Sequence, residues 1–274
     1  MDASQYGLEA VSLHGSGEPT LNPDLVRMVR FISEREYFSS FFTNGARLTP
    51  DLFTGLIDAG IKLIRISLYG YDQESYYKWS RQDKFGLVLE NYFNCRSILK
   101  GRGLPLEILQ TWHAIYDLSN KEEELRKCIE LVEKMGAKSE IWLLHSWTGT
   151  YKDAPYDRAN LAKTRVKRSC GRPFAPALEV RAGGLGNHKA AVVACPYVLG
   201  RDSEAVMGHL DTQNIAEVVK GGPYQNLRQA HMEGRFEDIS YCSNCDQLYD
   251  LTESLVWTNI EGRFYGQSKT SSVV

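Results

Sequence analysis

Apolar residues recur along this chain with two periods that take turns. Short apolar runs at Leu8–His14, Tyr37–Thr43, Ile61–Leu68, Leu106–Ile115 and Glu140–His145 read as buried strands. Between them lie segments with one apolar face at helical spacing. The first begins near Pro23, with Asn22 as its N-cap and Leu25, Val26, Val29 and Ile32 on the inner side. The second begins at Thr49-Pro50, turns Leu52, Phe53, Leu56 and Ile57 to one side, and stops at Gly60. Phe85–Lys100 and Lys121–Met135 follow, the latter ended by Gly136. Strand and helix alternate with short connections. That order predicts parallel strands with right-handed crossovers, closed or partly closed as an α/β barrel.

In such barrels the chemistry sits at the C-terminal ends of the strands. Those ends carry Gly15-Ser16-Gly17-Glu18-Pro19, Thr43-Asn44-Gly45, Ser67 to Gly70, Gln110 to His113 and His145 to Thr148, which are expected to line one mouth. His14, Tyr69, Gln110, Trp112 and His113 are the candidates for substrate contact there. His113 or His145 is the candidate catalytic proton acceptor, although either also suits a hydrogen-bonded structural role.

The rhythm breaks at Thr148–Arg168, a polar and basic stretch that reads as a solvated linker. Beyond it, Ala177–Arg181 and Ala190–Ala194 predict a β-hairpin with Gly183, Gly184 and Gly186 in its connection. Helices are expected near Ile215–Lys220 and Tyr224–Glu233, and the tail beyond Gly262 is expected to fray. The organisation is thus a barrel over 1–148, a linker over 149–168, a second unit over 169–250 and a tail over 251–274.

A net charge of −2 gives no drive toward nucleic acid or membrane, and no apolar run reaches spanning length. The N-terminus is not a signal sequence, so a cytoplasmic protein with reduced thiols is expected. Of six cysteines, Cys95 and Cys128 fall inside amphipathic helical patterns and read as packing residues. The other four, Cys170, Cys195, Cys242 and Cys245, are spaced C-x24-C-x46-C-x2-C in loop-like sequence. Two thiolates separated by two residues can turn onto one metal, and Cys170 and Cys195 each sit at a bend, beside Gly171 and Pro196. They read as one metal site, which would also organise a unit with little apolar core. Four thiolates suit tetrahedral zinc and a 4Fe-4S cluster equally.

These motifs, in this order, resemble the radical S-adenosylmethionine (SAM) superfamily, in its branch with a C-terminal SPASM or shorter twitch domain. The resemblance rests on Val11–Pro19, similar to the family's glycine-glycine-glutamate-proline motif; on Thr43-Asn44-Gly45, Ile66 to Gly70 and Arg81; and on Cys170, the Gly186–Cys195 hairpin, Gly208-His209-Leu210 and Cys242–Cys245. It implies a partial (β/α) barrel lacking its first strand and helix, followed by a small cysteine-ligated domain. It further implies S-adenosylmethionine bound by Gly15, Ser16, Gly17 and Glu18, with Asn44, Ser67 and Arg81 contributing. The four late cysteines would hold one auxiliary 4Fe-4S cluster, the substrate would be a small molecule or peptide, and a flavodoxin or ferredoxin would donate electrons. The implied reaction is an oxidative hydrogen abstraction, such as a dehydrogenation or a peptide or sugar modification. The family's C-x3-C-x2-C loop has no counterpart, since no cysteine precedes Cys95. A start at an internal Met of a longer gene product is the expected reason; the alternatives are a non-catalytic remnant that carries electrons, or a zinc-stabilised binding domain.

Overall fold

The computed structural model describes residues 3–15, 17–115, 120–146, 166–183, 187–198, 203–249 and 255–262. They form two units, one running up to Leu143 and rejoined by a late strand, the other from Leu144 to Tyr249.

In the first unit Ala10–Ser12 (β1), Phe38–Thr43 (β2), Leu63–Ser67 (β3), Leu109–Ile115 (β4) and Lys138–Leu143 (β5) pair in sequence order, all parallel. Helices Leu25–Ser33 (α1), Pro50–Asp58 (α2), Gln73–Ser80 (α3), Phe85–Gly101 (α4) and Lys121–Met135 (α5) supply the crossovers. A sixth strand, Leu255–Thr258 (β9), lies antiparallel on β5 and makes the far edge of the sheet. Asn259 locks that edge, its Oδ1 accepting from the Ser139 N–H at 2.8 Å and its amide donating to the Ala137 carbonyl at 2.8 Å. This sheet is mixed, parallel-dominated α/β.

Strand residues alternate between the two faces, so register decides what each face carries. Phe41 stands beside Ile64 and Ile64 beside Leu109; all three join one core with residues of α1, α2, α4 and α5. Val29, Leu56, Val88 and Leu99 are fully buried there, each stabilising by about 1.5–3 kcal/mol. The opposite face carries Phe42, Arg65, Gln110, Ser67, Trp112 and Glu140 in adjacent register positions.

Local chemistry accounts for most element ends. Thr49 caps α2, its hydroxyl accepting from the Leu52 N–H at 3.3 Å, and Gly136 ends α5 in the left-handed region at φ +59°. Three details depart from the sequence reading. Helix α1 starts at Leu25 because Asn22 accepts from the Asp24 N–H at 2.9 Å, closing a turn ahead of the helix instead of capping it. Helix α3 is additional, set by a capping box between Asp72 and Ser75. Strand β9 falls within the segment read as tail, where Leu255-Val256-Trp257-Thr258 has strand-forming residues.

In the second unit Glu179–Arg181 (β6), Ala191–Val193 (β7) and Val206–His209 (β8) form an antiparallel three-stranded sheet. The expected hairpin thus gains a third strand. Helices Ile215–Val219 (α6), Gly222–Glu233 (α7) and Ser240–Ser243 (α8) pack near it, with Val192, Met207, Val218, Tyr224 and Leu227 in one small core. Most of the predicted linker lies outside the described residues; its end, Val166–Arg168, runs beside Leu248 and Tyr249. Gly184, Gly186 and the tail beyond Gly262 also lie outside them. No helix among the described residues is long and apolar enough to cross a membrane.

Candidate functional site

At the C-terminal ends of β1 and β2 the Glu18 carboxylate works as a pin. It accepts from the Thr20 N–H at 3.0 Å, the Thr20 hydroxyl at 2.7 Å, the Thr43 hydroxyl at 2.7 Å and the Asn44 N–H at 2.7 Å. Thr43 in turn accepts from the Gly45 N–H, and Asn44 from the Ala46 N–H. The turn after β1 is therefore tied to the turn after β2, with Gly15 and Gly17 exposed between. Ser16 lies outside the described residues. Gly45 holds φ +77°, and a Cβ there would stand 3.0 Å from both Ile66 and Val88. Only glycine fits the turn.

The sheet face away from the helices continues this site. His14 meets Phe42 edge-on at 4.9 Å, Phe42 meets Trp112 at 6.3 Å, and Trp112 meets Tyr69 at 5.6 Å. Ser67 hydrogen-bonds Tyr69, partly countering the upward pull of burial on its phenol. Arg65 donates to Gln110 at 3.2 Å and sits 3.9 Å from Glu140, which accepts from the Trp142 indole at 2.9 Å. His14 shares a 2.8 Å contact with the Ser12 hydroxyl, and desolvation and then the Arg65 charge hold its pKa below the usual value. This row of polar groups between aromatic rings suits a small polar molecule. Arg65 and Glu140 were missed by the sequence reading; a charge inside an otherwise apolar strand is the signal that marks them.

Two residues stand apart from that face. Arg81 is exposed at the C-cap of α3, with its backbone left-handed at φ +55°. His113, expected at the mouth, shares the parity of Leu109 and Ile115 and is fully buried on the helix-covered side, 3.2 Å from the Thr111 hydroxyl. Burial pushes its pKa down to about 4, with backbone groups of Gly70 and Leu68 opposing. The unfolded chain therefore binds the proton that the folded chain refuses between pH 6.5 and 4. Stability from this group is full above pH 6.5 and is lost as pH falls toward 4, by on the order of 3 kcal/mol at 1.36 kcal/mol per pKa unit. Urea denaturation at pH 7.5 and pH 4.5 checks this; a His113→Asn chain should have a clearly shallower pH slope.

In the second unit the four late cysteines converge. Cys170, Cys195, Cys242 and Cys245 line one cavity with Arg172, Tyr197, His231, Tyr241, Gln247 and Leu248. The Arg168 N–H donates to the Leu248 carbonyl at 2.7 Å, which carries Cys170 to the CxxC segment, and Cys195 follows the end of β7. Burial raises all four thiol pKa values, that of Cys245 to about 12. Neighbouring cysteine charges raise Cys195, Cys242 and Cys245 further, while Arg172 opposes the shift at Cys170 and Cys195. Such a set becomes ionised when iron or zinc offsets the charge. Among the described residues no three of these thiols come within 4.8 Å of one another. Tetrahedral zinc at Zn–S of about 2.3 Å needs sulfur separations of only ~3.8 Å. The donor set is all thiolate, and no three of its sulfurs are drawn together as closely as one zinc ion would hold them, which suits an iron-sulfur cluster. His231, also missed from sequence, lies with Nε2 3.6 Å from Cys242 Sγ and Nδ1 3.1 Å from the Ser169 hydroxyl.

His145 belongs to this unit, buried with Nδ1 2.9 Å from the Gln247 amide and 3.7 Å from Asp246. Burial raises the Asp246 pKa, but His145, Gln247 and the Ser146 N–H outweigh it and leave the carboxyl lowered. His145 is thus held by Asp246 and Gln247, the two residues that follow Cys245 in the chain.

Residues 3–109 match the family model described as the radical SAM superfamily. That stretch is similar to a radical SAM domain. Its curated relatives include a probable GTP 3′,8-cyclase of Saccharolobus islandicus (strain M.14.25 / Kamchatka #1), 32% identical over 142 residues, covering 52% of this chain and 43% of the relative. Another is the probable GTP 3′,8-cyclase of Thermococcus kodakarensis, 35% identical over 133 residues, 48% of this chain and 43% of the relative. The match thus spans less than half the length of either. Among solved structures, BtrN in complex with AdoMet and 2-DOIA has a TM-score of 0.55 at 19% identity, covering 89% of this chain and 75% of that one. BtrN in an open conformation has a TM-score of 0.51 at 16% identity, covering 93% and 77%. These two likenesses establish the fold. The family that residues 3–109 match implies a 4Fe-4S cluster and S-adenosylmethionine. For the cluster that cleaves S-adenosylmethionine, the thiols of the first unit do not fit: Cys95 and Cys128 are both buried in the helix-covered core or against it.

Proposed function

We propose that this chain is the S-adenosylmethionine-handling and electron-relaying part of a radical SAM oxidoreductase. The first unit is the partial (β/α) barrel of such an enzyme, and the second is a twitch-type domain in which Cys170, Cys195, Cys242 and Cys245 hold one auxiliary 4Fe-4S cluster. The observation that carries the reading is the gathering of these four thiols around one cavity.

An all-cysteine 4Fe-4S cluster supplies, when bound, a one-electron acceptor with no open position for substrate. The reaction class is an oxidative hydrogen abstraction in which a small hydroxylated molecule or peptide loses two electrons. Gly15 and Gly17 present backbone groups to the methionyl end of S-adenosylmethionine, and Glu18 holds that turn in shape. Asn44 and Ser67 complete the cofactor's surroundings, and Arg81, exposed at the C-cap of α3 and apart from the open sheet face, reaches the cofactor from its rim. Arg65, Gln110, Trp112 and Tyr69 orient the substrate on the open sheet face. His14, kept neutral, is better sited there as proton acceptor than His113, which faces the helices. An external flavodoxin- or ferredoxin-class protein supplies electrons. No step that generates the radical is assigned to residues of this chain.

Anaerobic reconstitution with iron and sulfide, followed by metal analysis and Mössbauer spectroscopy, tests the reading. About four irons per chain in one 4Fe-4S environment are expected. Zinc retained in place of iron would overturn it.

A further inference from the structure

Three residues at one end of the β7–β8 ribbon take no part in the cysteine cavity. The strands pair antiparallel with Ala191 opposite His209, and the Leu210 N–H donates to the Ala190 carbonyl at 2.9 Å. That register carries His188 alongside Asp211. His188 Nδ1 stands 3.3 Å from each oxygen of the Asp211 carboxylate, which also accepts from the Lys189 N–H at 3.3 Å. The His188 and His209 rings stack with centroids 3.7 Å apart and 18° between planes. One ligand atom from each of the three residues lies within 4.8 Å of the other two. Among the described residues, this is the group of histidine, cysteine and carboxylate side chains that draws together so closely.

A second observation points to a ligand. His209 Nδ1 is buried and has no hydrogen-bond partner among the described residues. A buried polar nitrogen left so is costly, and a cation bound at Nδ1 would remove the cost. The backbone around it is already fixed. The His209 N–H donates to Gln213 Oε1 at 2.9 Å, and the His209 carbonyl accepts from the Thr212 and Gln213 N–H groups at 3.2 and 2.9 Å. Gly208 makes room for this, since a Cβ there would stand 2.7 Å from Gln213 Oε1 and 2.8 Å from Val218. The ligands therefore stand on a strand end and a closed turn, supports that hold a metal site in shape.

We propose that His188, His209 and Asp211 bind one divalent ion of the zinc class, at a site separate from the cysteine cavity. Two imidazoles and a carboxylate select borderline ions such as zinc over magnesium or calcium, which want oxygen ligands throughout. Three protein ligands leave a fourth position for water. Ligation by both rings splays the stack, so the metal form differs from a hydrogen-bonded pair with a stacked neighbour. Because the site lies apart from Cys170, Cys195, Cys242 and Cys245, it stands or falls independently of the auxiliary cluster.

The test uses the full chain after anaerobic reconstitution, titrated with zinc at micromolar concentration. One zinc per chain is expected beyond the iron already bound, and a His188→Gln, Asp211→Asn chain should take up none while keeping its iron. Both residues are partly exposed, so the variant should fold, and its circular dichroism and melting temperature confirm that. Zinc-edge absorption on the unmodified chain supplies a readout free of variants: scatterers at about 2.0–2.1 Å are nitrogen or oxygen, whereas about 2.3 Å is sulfur. Equal zinc uptake by both chains, sulfur ligation, or no uptake by the unmodified chain would each overturn the proposal.

Discussion

On the proposed reading, replacing Cys242 with alanine should lower the iron of the reconstituted chain from about four per chain to below about one. Three remaining thiolates would hold a cluster less firmly, and the loss of one ligand would remove a link between the CxxC segment and the ends reached by Cys170 and Cys195. Among its described residues the second unit has short helices and a three-stranded sheet, with Phe236, Cys245 and Leu248 packing against Cys170 and Cys242. The binding free energy of a metal held there would be folding free energy, so the variant should also become sensitive to proteolysis beyond Leu144. The first unit has its own core and should keep its cooperative unfolding. Iron assay and limited proteolysis of the two chains check both halves. Iron content unchanged by Cys242→Ala would remove Cys242 from the ligand set.

The first unit was legible because its strands and helices obey local rules. Leu109, Ile64 and Phe41 form apolar strands, Thr49-Pro50 starts a helix, and Gly136 ends one with a left-handed residue. What a single sequence hides is parity and partnership. His113 and Trp112 are neighbours in the chain, yet one faces the helices and the other the open face; a shift of one residue in the assumed strand start exchanges them. Strand β9 was obscured because its partner, β5, lies more than a hundred residues earlier. The cysteines were legible for the opposite reason. Cys242 and Cys245 are close in sequence and loop-bound, so their pairing needs no long-range information. His231 depends on a tertiary contact with Cys242 that no local pattern announces.

Changing Glu18 should have the second large effect, and the choice of substitution separates its two duties. In Glu18→Gln one oxygen still receives the Thr20 and Thr43 hydroxyls, but the new amide group turns a donor toward the Asn44 N–H. Two donors then meet where a charge-assisted bond stood. Hydrogen bonds to charged groups contribute about 1.5–3 kcal/mol each, so a loss of roughly 2–4 kcal/mol is expected for Glu18→Ala and somewhat less for Glu18→Gln. A double-mutant cycle with Thr43→Val isolates the coupling across the two turns, since Thr43 is buried and its hydroxyl serves both Glu18 and Gly45. On the proposed reading, the same pin holds Gly15 and Gly17 in the shape that receives S-adenosylmethionine. Calorimetry should then find affinity for S-adenosylmethionine reduced at least about tenfold, or 1.4 kcal/mol, in Glu18→Gln at temperatures where the chain remains folded. Lower stability with unchanged affinity would make Glu18 a fastening between two strand ends and take the cofactor away from this turn.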